Sequence, residues 1–345
     1  MSQPYPAVDV LAHPGGRAWG RFADRPRSAR PAAEFAGIRA RFEDWRTKEW
    51  VGFTLIHPEV FSSMIVQEAK YLASSELYVI DAATRELVEA VGSMRGGTTD
   101  LPDDLLHGGE VRFRDPKKGY RLEYDFDEAN GRHEIRIDIA ATASGPGISG
   151  ALALDAASAS APLAVSFPLG GAATMFTYKR ILPASGSIAI GARRIDFDPA
   201  RDFAIIDEHR SHLPYWHARW TWGTFAFRSP EGEILGANFA DRPQARGSEE
   251  ESALWVPGLA APLADVTFTP ASTDPLAPVA IRSADGRLEA AFTPRNRKRS
   301  KHQFVVASID YFQMVGTYSG TIRDEDREWS FEDVHGVCES MAMRS

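Results

Sequence analysis

From Trp45 onward the chain is built of short runs rich in β-branched and aromatic residues, separated by Gly, Asn, Asp and Pro at hairpin spacing. In the first half these runs are 50–56, 75–80, 110–113, 120–126 and 133–139, with turn signals at 81–85, 116–119 and Asn130-Gly131 between them. Such short connections can join antiparallel strands but cannot carry the long crossover a parallel pair needs. A doubly wound nucleotide-binding fold is therefore disfavoured. No GxxxxGK[ST] is present, and the Gly-Gly pairs at Gly96 and Gly170 lack the strand-to-helix context of a phosphate loop.

A second series of strand-like runs extends from 175 to 322, and its turns include Glu231-Gly232 and Asp285-Gly286. Between the two series, residues 140–173 are dominated by Ala, Ser, Gly and Pro, either a linker or small-residue strands crowded against one another, and a domain boundary is placed near the end of that stretch. The expected organisation is an extended arm over 1–44, a barrel-like domain over 45–172 and a second over 173–345. Closure into barrels removes exposed strand edges. The fold class expected is all-β, with two tandem antiparallel barrels, and 345 residues suffice to give each its own core.

Charge and cysteine content narrow the partners. Thirty-nine basic residues against 47 acidic ones give a net charge of −8, which supplies no field to attract a phosphate backbone. The basic run at 295–302, RNRKRSKH, reads as a solvated hairpin tip in that setting. A single cysteine, Cys338, can form neither an internal disulfide nor a multi-Cys zinc site. The N-terminus has no basic segment followed by an apolar one, and no apolar run approaches the roughly 18 residues of a membrane span, so a cytoplasmic protein is expected.

The densest chemistry lies at 205–225, IIDEHRSHLPYWHARWTWGTF. In an extended strand, Asp207 and His209 share one face while Arg210 and His212 share the other. Beyond Pro214, alternation puts Trp216, Trp220 and Trp222 on one face, with His217, Arg219 and Thr221 opposite. A Trp-lined face suits a flat or polyunsaturated apolar ligand and can stabilise a developing cation, or it simply fills a core. Asp207 can act as a general acid if burial against such a face lets it keep its proton; the alternative is a carboxylate paired with Arg210. The spacing of His209, His212 and His217 matches no familiar metal run, so no metal is expected. Glu249, Glu250 and Glu251 lead into an apolar strand at 252–256 and either point into a barrel mouth or form a solvated turn.

The second half also carries an ordered set of short motifs. These are Pro162-Leu163, FTYKRILPASGSI with Tyr178, Lys179 and Gly186, then Asp207, Arg210, Pro214 and the W-x-W of Trp220 and Trp222, Glu251 before Ser-Ala-Leu, GTYSG at 316–320, and Gly336 with Glu339. In their order and spacing the chain resembles the DUF2804 family. That family is similar, more remotely, to lipocalin-like two-barrel proteins that include carotenoid hydratases and tocopherol cyclases. The resemblance implies two barrels meeting at a ligand cleft and cofactor-free acid chemistry on an apolar alkene. The sequence departs from the family pattern at His209 and His212, and at Ser252 in place of Asn.

The reading is a hydratase, lyase or isomerase acting on an isoprenoid-like molecule without a cofactor. Its catalytic residues are Asp207, His209, Tyr215 and His217, with Lys179, Arg210, Trp216, Trp220, Trp222 and Glu251 around the substrate. A carrier of a lipid or pigment, or a carbohydrate-acting enzyme using Asp207 and Glu251, are the alternatives. The partner is a hydrophobic small molecule, and a homodimer is compatible with the sequence.

Overall fold

Alternation decides which side chains reach a core. In the strand Arg132–Ile139, Ile135, Ile137 and Ile139 are buried while Arg136 and Asp138 are exposed, as expected of a sheet with one face in water. The strand Phe203–His212 breaks that pattern, because nearly every residue in it is buried. Its even positions Ala204 and Ile206 join the core of one sheet, and its odd positions Phe203 and Ile205 join a second apolar cluster that includes Ala226 and Trp255 of the other sheet. A strand covered on both faces can hold ionisable groups only if they are paired.

The computed structural model describes residues 4–143, 145–170, 173–213, 218–243, 250–303, 308–325 and 327–344. Among them the strands form two large antiparallel sheets, a nearly closed barrel and a half-barrel, in a two-barrel arrangement. The first runs from Leu87–Arg95 through Lys48–His57, Phe203–His212 and Thr174–Ile190 to His107–Asp115, and its two end strands, neighbours in sequence, come into contact. The second runs from Leu259–Pro262 through Ile234–Asp241, Ala218–Arg228, Arg327–Arg344 and Ser308–Asp324 to Val266–Pro270. Its interior is aromatic, with Phe225, Phe239, Phe292, Tyr318 and Phe331 in one cluster.

Sheet membership changes between His212 and Ala218, later than the boundary expected near 172. The Ala/Ser/Gly-rich stretch is not a linker: it supplies the strands Ile148–Asp155 and Leu163–Pro168, whose small residues let Thr174–Ile190 pack close beside them. Nor is the lead-in merely an extended arm. Leu11, Phe22 and Ala29 enter the first core, Gly20–Phe22 pairs with Leu163–Pro168, and Gly37–Arg46 forms a helix. The basic run is also not a hairpin tip, because it lies within the strand Leu288–Gln303, paired along its length with Ser308–Asp324.

The motif glycines of the second sheet mark close approaches. Gly316 and Gly336 face each other in register, and a Cβ on Gly336 would lie 2.5 Å from the Thr224 carbonyl oxygen and 2.7 Å from the Tyr318 ring. Gly336→Ala should cost about 1–3 kcal/mol by overpacking, read as a lowered denaturant midpoint; an unchanged midpoint would contradict this packing.

Candidate functional site

The site grows from three adjacent strands of the first sheet. Lys179 on Thr174–Ile190 is in register with Asp207, and Trp50 on Lys48–His57 with His209. Alternation points Lys179, Asp207 and His209 toward the second sheet, where Trp222, Asn238, Arg242 and Glu251 meet them. The Asp207 Oδ1 atom accepts a hydrogen bond from Lys179 Nζ and lies 2.7 Å from His209 Nε2. Lys179 Nζ is also 3.1 Å from Glu251 Oε2 and 4.7 Å from the centre of the Trp222 ring. Arg242 pairs with the other Glu251 oxygen and, at 3.2 Å, with Glu250.

Second contacts hold these groups in place. Asn238 donates to the Glu251 backbone carbonyl at 2.9 Å and accepts from Trp222 Nε1 at 2.8 Å. Arg21, from the N-terminal strand, donates to the carbonyls of Glu250 and Ser252, both at 2.8 Å. The His209 ring stacks on Trp50 with centroids 4.5 Å apart, and its Nδ1 is buried with no hydrogen-bond partner among the described residues.

Electrostatics set the protonation of this cluster. Burial alone would raise the Asp207 carboxyl, but the charges of His209 and Lys179 override it and hold it well below the usual carboxylate range. Glu251 is likewise driven to about 2, because Arg242 and Lys179 outweigh its burial, while its carboxylate neighbours keep Lys179 charged, with its pKa raised. Asp207 therefore does not meet the expectation of an acid that burial keeps protonated. It is an ion-paired carboxylate, and 24% of its side-chain surface remains open, whereas Glu251 is fully covered.

A second carboxyl stands along the same wall. Trp220 and Trp222 share one face of Ala218–Arg228; Trp222 meets Lys179, and Trp220 Nε1 donates to Glu339 at 2.9 Å. The other Glu339 oxygen accepts from Tyr311 at 3.0 Å and Gln313 at 2.9 Å, and Gln313 is itself fixed by the Tyr78 hydroxyl of the first sheet. Burial pushes the Glu339 carboxyl up despite these donors, and the negative charge of Asp207 pushes the same way.

Of the residues expected from sequence, Asp207, His209, Lys179, Trp220, Trp222 and Glu251 converge here. Arg210 does not: it lies on the opposite strand face, bonded to Glu208 and Glu49 at 2.9 Å each. His212 shares that face and meets Thr47 and the Glu43 carbonyl, both at 3.1 Å, so it cannot join His209 on one ion. Among the described residues no metal-like group of His, Cys, Asp and Glu is found. Tyr215, Trp216, His217 and Glu249 lie outside the described residues. Glu251 is neither a barrel-mouth acid nor a solvated turn: it is fully covered and paired with Lys179 and Arg242.

A family model described as a domain of unknown function, DUF2804, matches residues 27–344. The chain belongs to the DUF2804 family. No curated protein matches the sequence. Among solved structures, CghA superimposes with a TM-score of 0.54 at 12% identity, covering 99% of this chain and 97% of CghA. CghA solved with Sch210972 gives 0.51 at 12%, with the same coverage. Kievitone hydratase from Nectria haematococca gives 0.47 at 11% identity, over 99% of this chain and 98% of that one. The CghA likeness is one of fold, so this DUF2804 protein shares the two-sheet frame that brings Asp207 and Glu339 to one wall.

The site is coupled to acid stability. Glu208, gripped by Arg25 and Arg210, is driven to about 2 like Glu251. Both are depressed, so their stabilisation is complete above the ordinary glutamate value of 4.5 and is lost as pH falls from there toward about 2. His212, which burial and the nearby Arg17 charge lower from 6.5 to about 4, begins the loss at higher pH, since the unfolded chain takes up its proton first. Thermal midpoints measured across these windows should fall in two stages; a flat profile would contradict the buried pairs.

Proposed function

We propose that this DUF2804 protein is a cofactor-independent hydratase, lyase or isomerase that moves protons on a largely apolar small molecule carrying at least one oxygen. The observation that carries the reading is the unlike company of two carboxyls on one aromatic wall: Asp207 is paired with Lys179 and His209, which favours its anion, while Glu339 meets the neutral donors Trp220, Tyr311 and Gln313 and burial pushes it up. Carboxyls pushed apart in this way divide into base and acid. Trp50 and Trp220, both only partly buried, give the wall an aromatic surface suited to an apolar body, and the buried Trp222 backs it.

In the elimination direction Asp207 takes a proton from carbon, and the electron pair of that C–H bond forms the new double bond. The C–O bond breaks, and the hydroxyl leaves as water with the proton of Glu339. Lys179 and His209 stabilise negative charge that develops on a substrate oxygen. Hydration is the reverse, and isomerisation returns a proton to a different carbon without loss of water. This reverses the role expected for Asp207 from sequence, because an ion-paired carboxylate is already ionised and is available to accept a proton, not to give one.

The test needs no prior substrate. Wild-type protein, Asp207→Asn and Glu339→Gln are incubated with a lipid extract of the source organism in deuterated water, and products are followed by mass spectrometry. A deuterium-bearing product with wild type that is missing with both variants supports the reading. Retention of one unchanged lipid by all three proteins would replace it with the carrier function.

A further inference from the structure

The helix Gly37–Arg46 packs the wrong way round for a soluble protein. Its polar side is turned inward: Glu43 is buried, and its backbone carbonyl accepts from the Thr47 hydroxyl at 3.1 Å beside the His212 ring. Its apolar side faces out. Ile38 is 88% exposed, Phe42 54% and Trp45 55%, at the i, i+4, i+7 spacing of a single stripe. The stripe continues onto Tyr71, also 56% exposed, whose ring lies 6.1 Å from that of Trp45. A contiguous exposed patch of this kind marks an interaction surface.

Charge around the patch identifies the partner. Residues 37–48 hold four basic side chains, Arg39, Arg41, Arg46 and Lys48, against two acidic ones, Glu43 and Asp44, in a chain whose net charge is −8. Glu43 is taken up internally by Arg46 at 2.7 Å, and Arg39 reaches it only at 3.9 Å. Arg39 and Arg41 are exposed and fall on opposite flanks of the apolar stripe, while Lys48 sits over the Tyr71 ring at 4.8 Å. Trp and Tyr prefer the water–lipid boundary, and flanking arginines place their charge among phosphates while their stems cover apolar surface. A two-fold contact with a second copy would instead set this basic rim against its own image.

We infer that this face docks peripherally on an anionic lipid bilayer, with Ile38, Phe42, Trp45 and Tyr71 entering the interfacial layer and Arg39, Arg41 and Lys48 meeting lipid phosphates. The helix leads directly into the strand Lys48–His57, whose Trp50 stacks on His209. Trp50 is five positions beyond Trp45, at most about 18 Å of extended chain, so the docking face adjoins the candidate site. Docking itself stands on the helix and does not depend on the chemistry proposed for that site.

Flotation of the full chain with phosphatidylcholine vesicles, with and without phosphatidylglycerol, tests the inference. Wild type should favour the anionic vesicles by roughly tenfold or more. Arg39→Gln/Arg41→Gln should weaken that binding by about fivefold per arginine, and Ile38→Asp/Phe42→Asp should abolish it. Leu276→Asp, at an exposed position in a turn of the second sheet, should leave it unchanged. All these positions are exposed, and circular dichroism verifies the fold of each variant. Absence of a preference for anionic vesicles, or binding undiminished in Ile38→Asp/Phe42→Asp, would overturn the inference. So would a dimer in light scattering that this variant dissolves, which would assign the face to a second copy.

Discussion

Replacing Asp207 with asparagine should lower deuterium incorporation into product by about 10²- to 10⁴-fold, the usual contribution of a positioned acid or base. The substitution is nearly isosteric and Lys179 keeps its contact with Glu251, so the unfolding midpoint should fall only by what the lost ion pair with Lys179 and His209 contributes, with the fold intact. Turnover close to wild type would remove Asp207 from the chemistry. A collapse of stability in place of activity would make it a structural partner of Lys179. Glu339→Gln should also reduce turnover, and because it removes the group that holds its proton to higher pH, it should flatten the alkaline limb of the pH–rate profile and spare the acid limb.

Replacing Lys179 with methionine should cost about 3–5 kcal/mol of stability, because it strands Asp207 and the fully covered Glu251 without one of their cations. The prediction separates position from charge. Methionine keeps most of the side-chain length and gives up only the ammonium that lies over Trp222, so most of the loss comes from carboxylates left underpaired. Lys179→Met/Glu251→Met should recover part of it, since replacing both members of a buried pair avoids leaving one charge alone. A single variant as stable as wild type in denaturant unfolding would show that Arg242 and His209 suffice to hold the two carboxylates.

Much of the frame was legible from residue order alone. Strand runs and hairpin turns define an all-β chain, and alternation along 203–212 correctly separates Asp207 and His209 from Arg210 and His212. What pairing adds across strands was not legible. Trp50 lies far from His209 in sequence and becomes its neighbour only through the register of Lys48–His57 with Phe203–His212. Arg242 reads as a turn residue until the second sheet folds it over Glu251. Glu339 was visible only as a motif companion of Gly336, because its partners Trp220, Tyr311 and Gln313 come from two other strands.

The surroundings of Asp207 show the same limit. A Trp-rich strand predicts an apolar surrounding that would raise a carboxyl, and burial does act in that direction. The opposition comes from His209, two positions along the same strand, and from Lys179 on the adjacent strand, a pairing that no local pattern encodes. Composition at 140–173 allowed either a linker or crowded small-residue strands, and the structure has the strands, so the first sheet runs past the division expected near 172. Ala, Ser and Gly there let strands approach closely.

The central claim is the opposite bias of two carboxyls on one wall, and infrared spectroscopy of the carboxyl stretch measures it without a substrate. Protein is titrated downward in pH, and difference spectra against Glu339→Gln and Asp207→Asn assign the bands. The account predicts that the protonated-carboxyl band lost in Glu339→Gln grows in at higher pH than an ordinary glutamate, and well before the band lost in Asp207→Asn. Coincident titration, or protonation of Asp207 first, would contradict it.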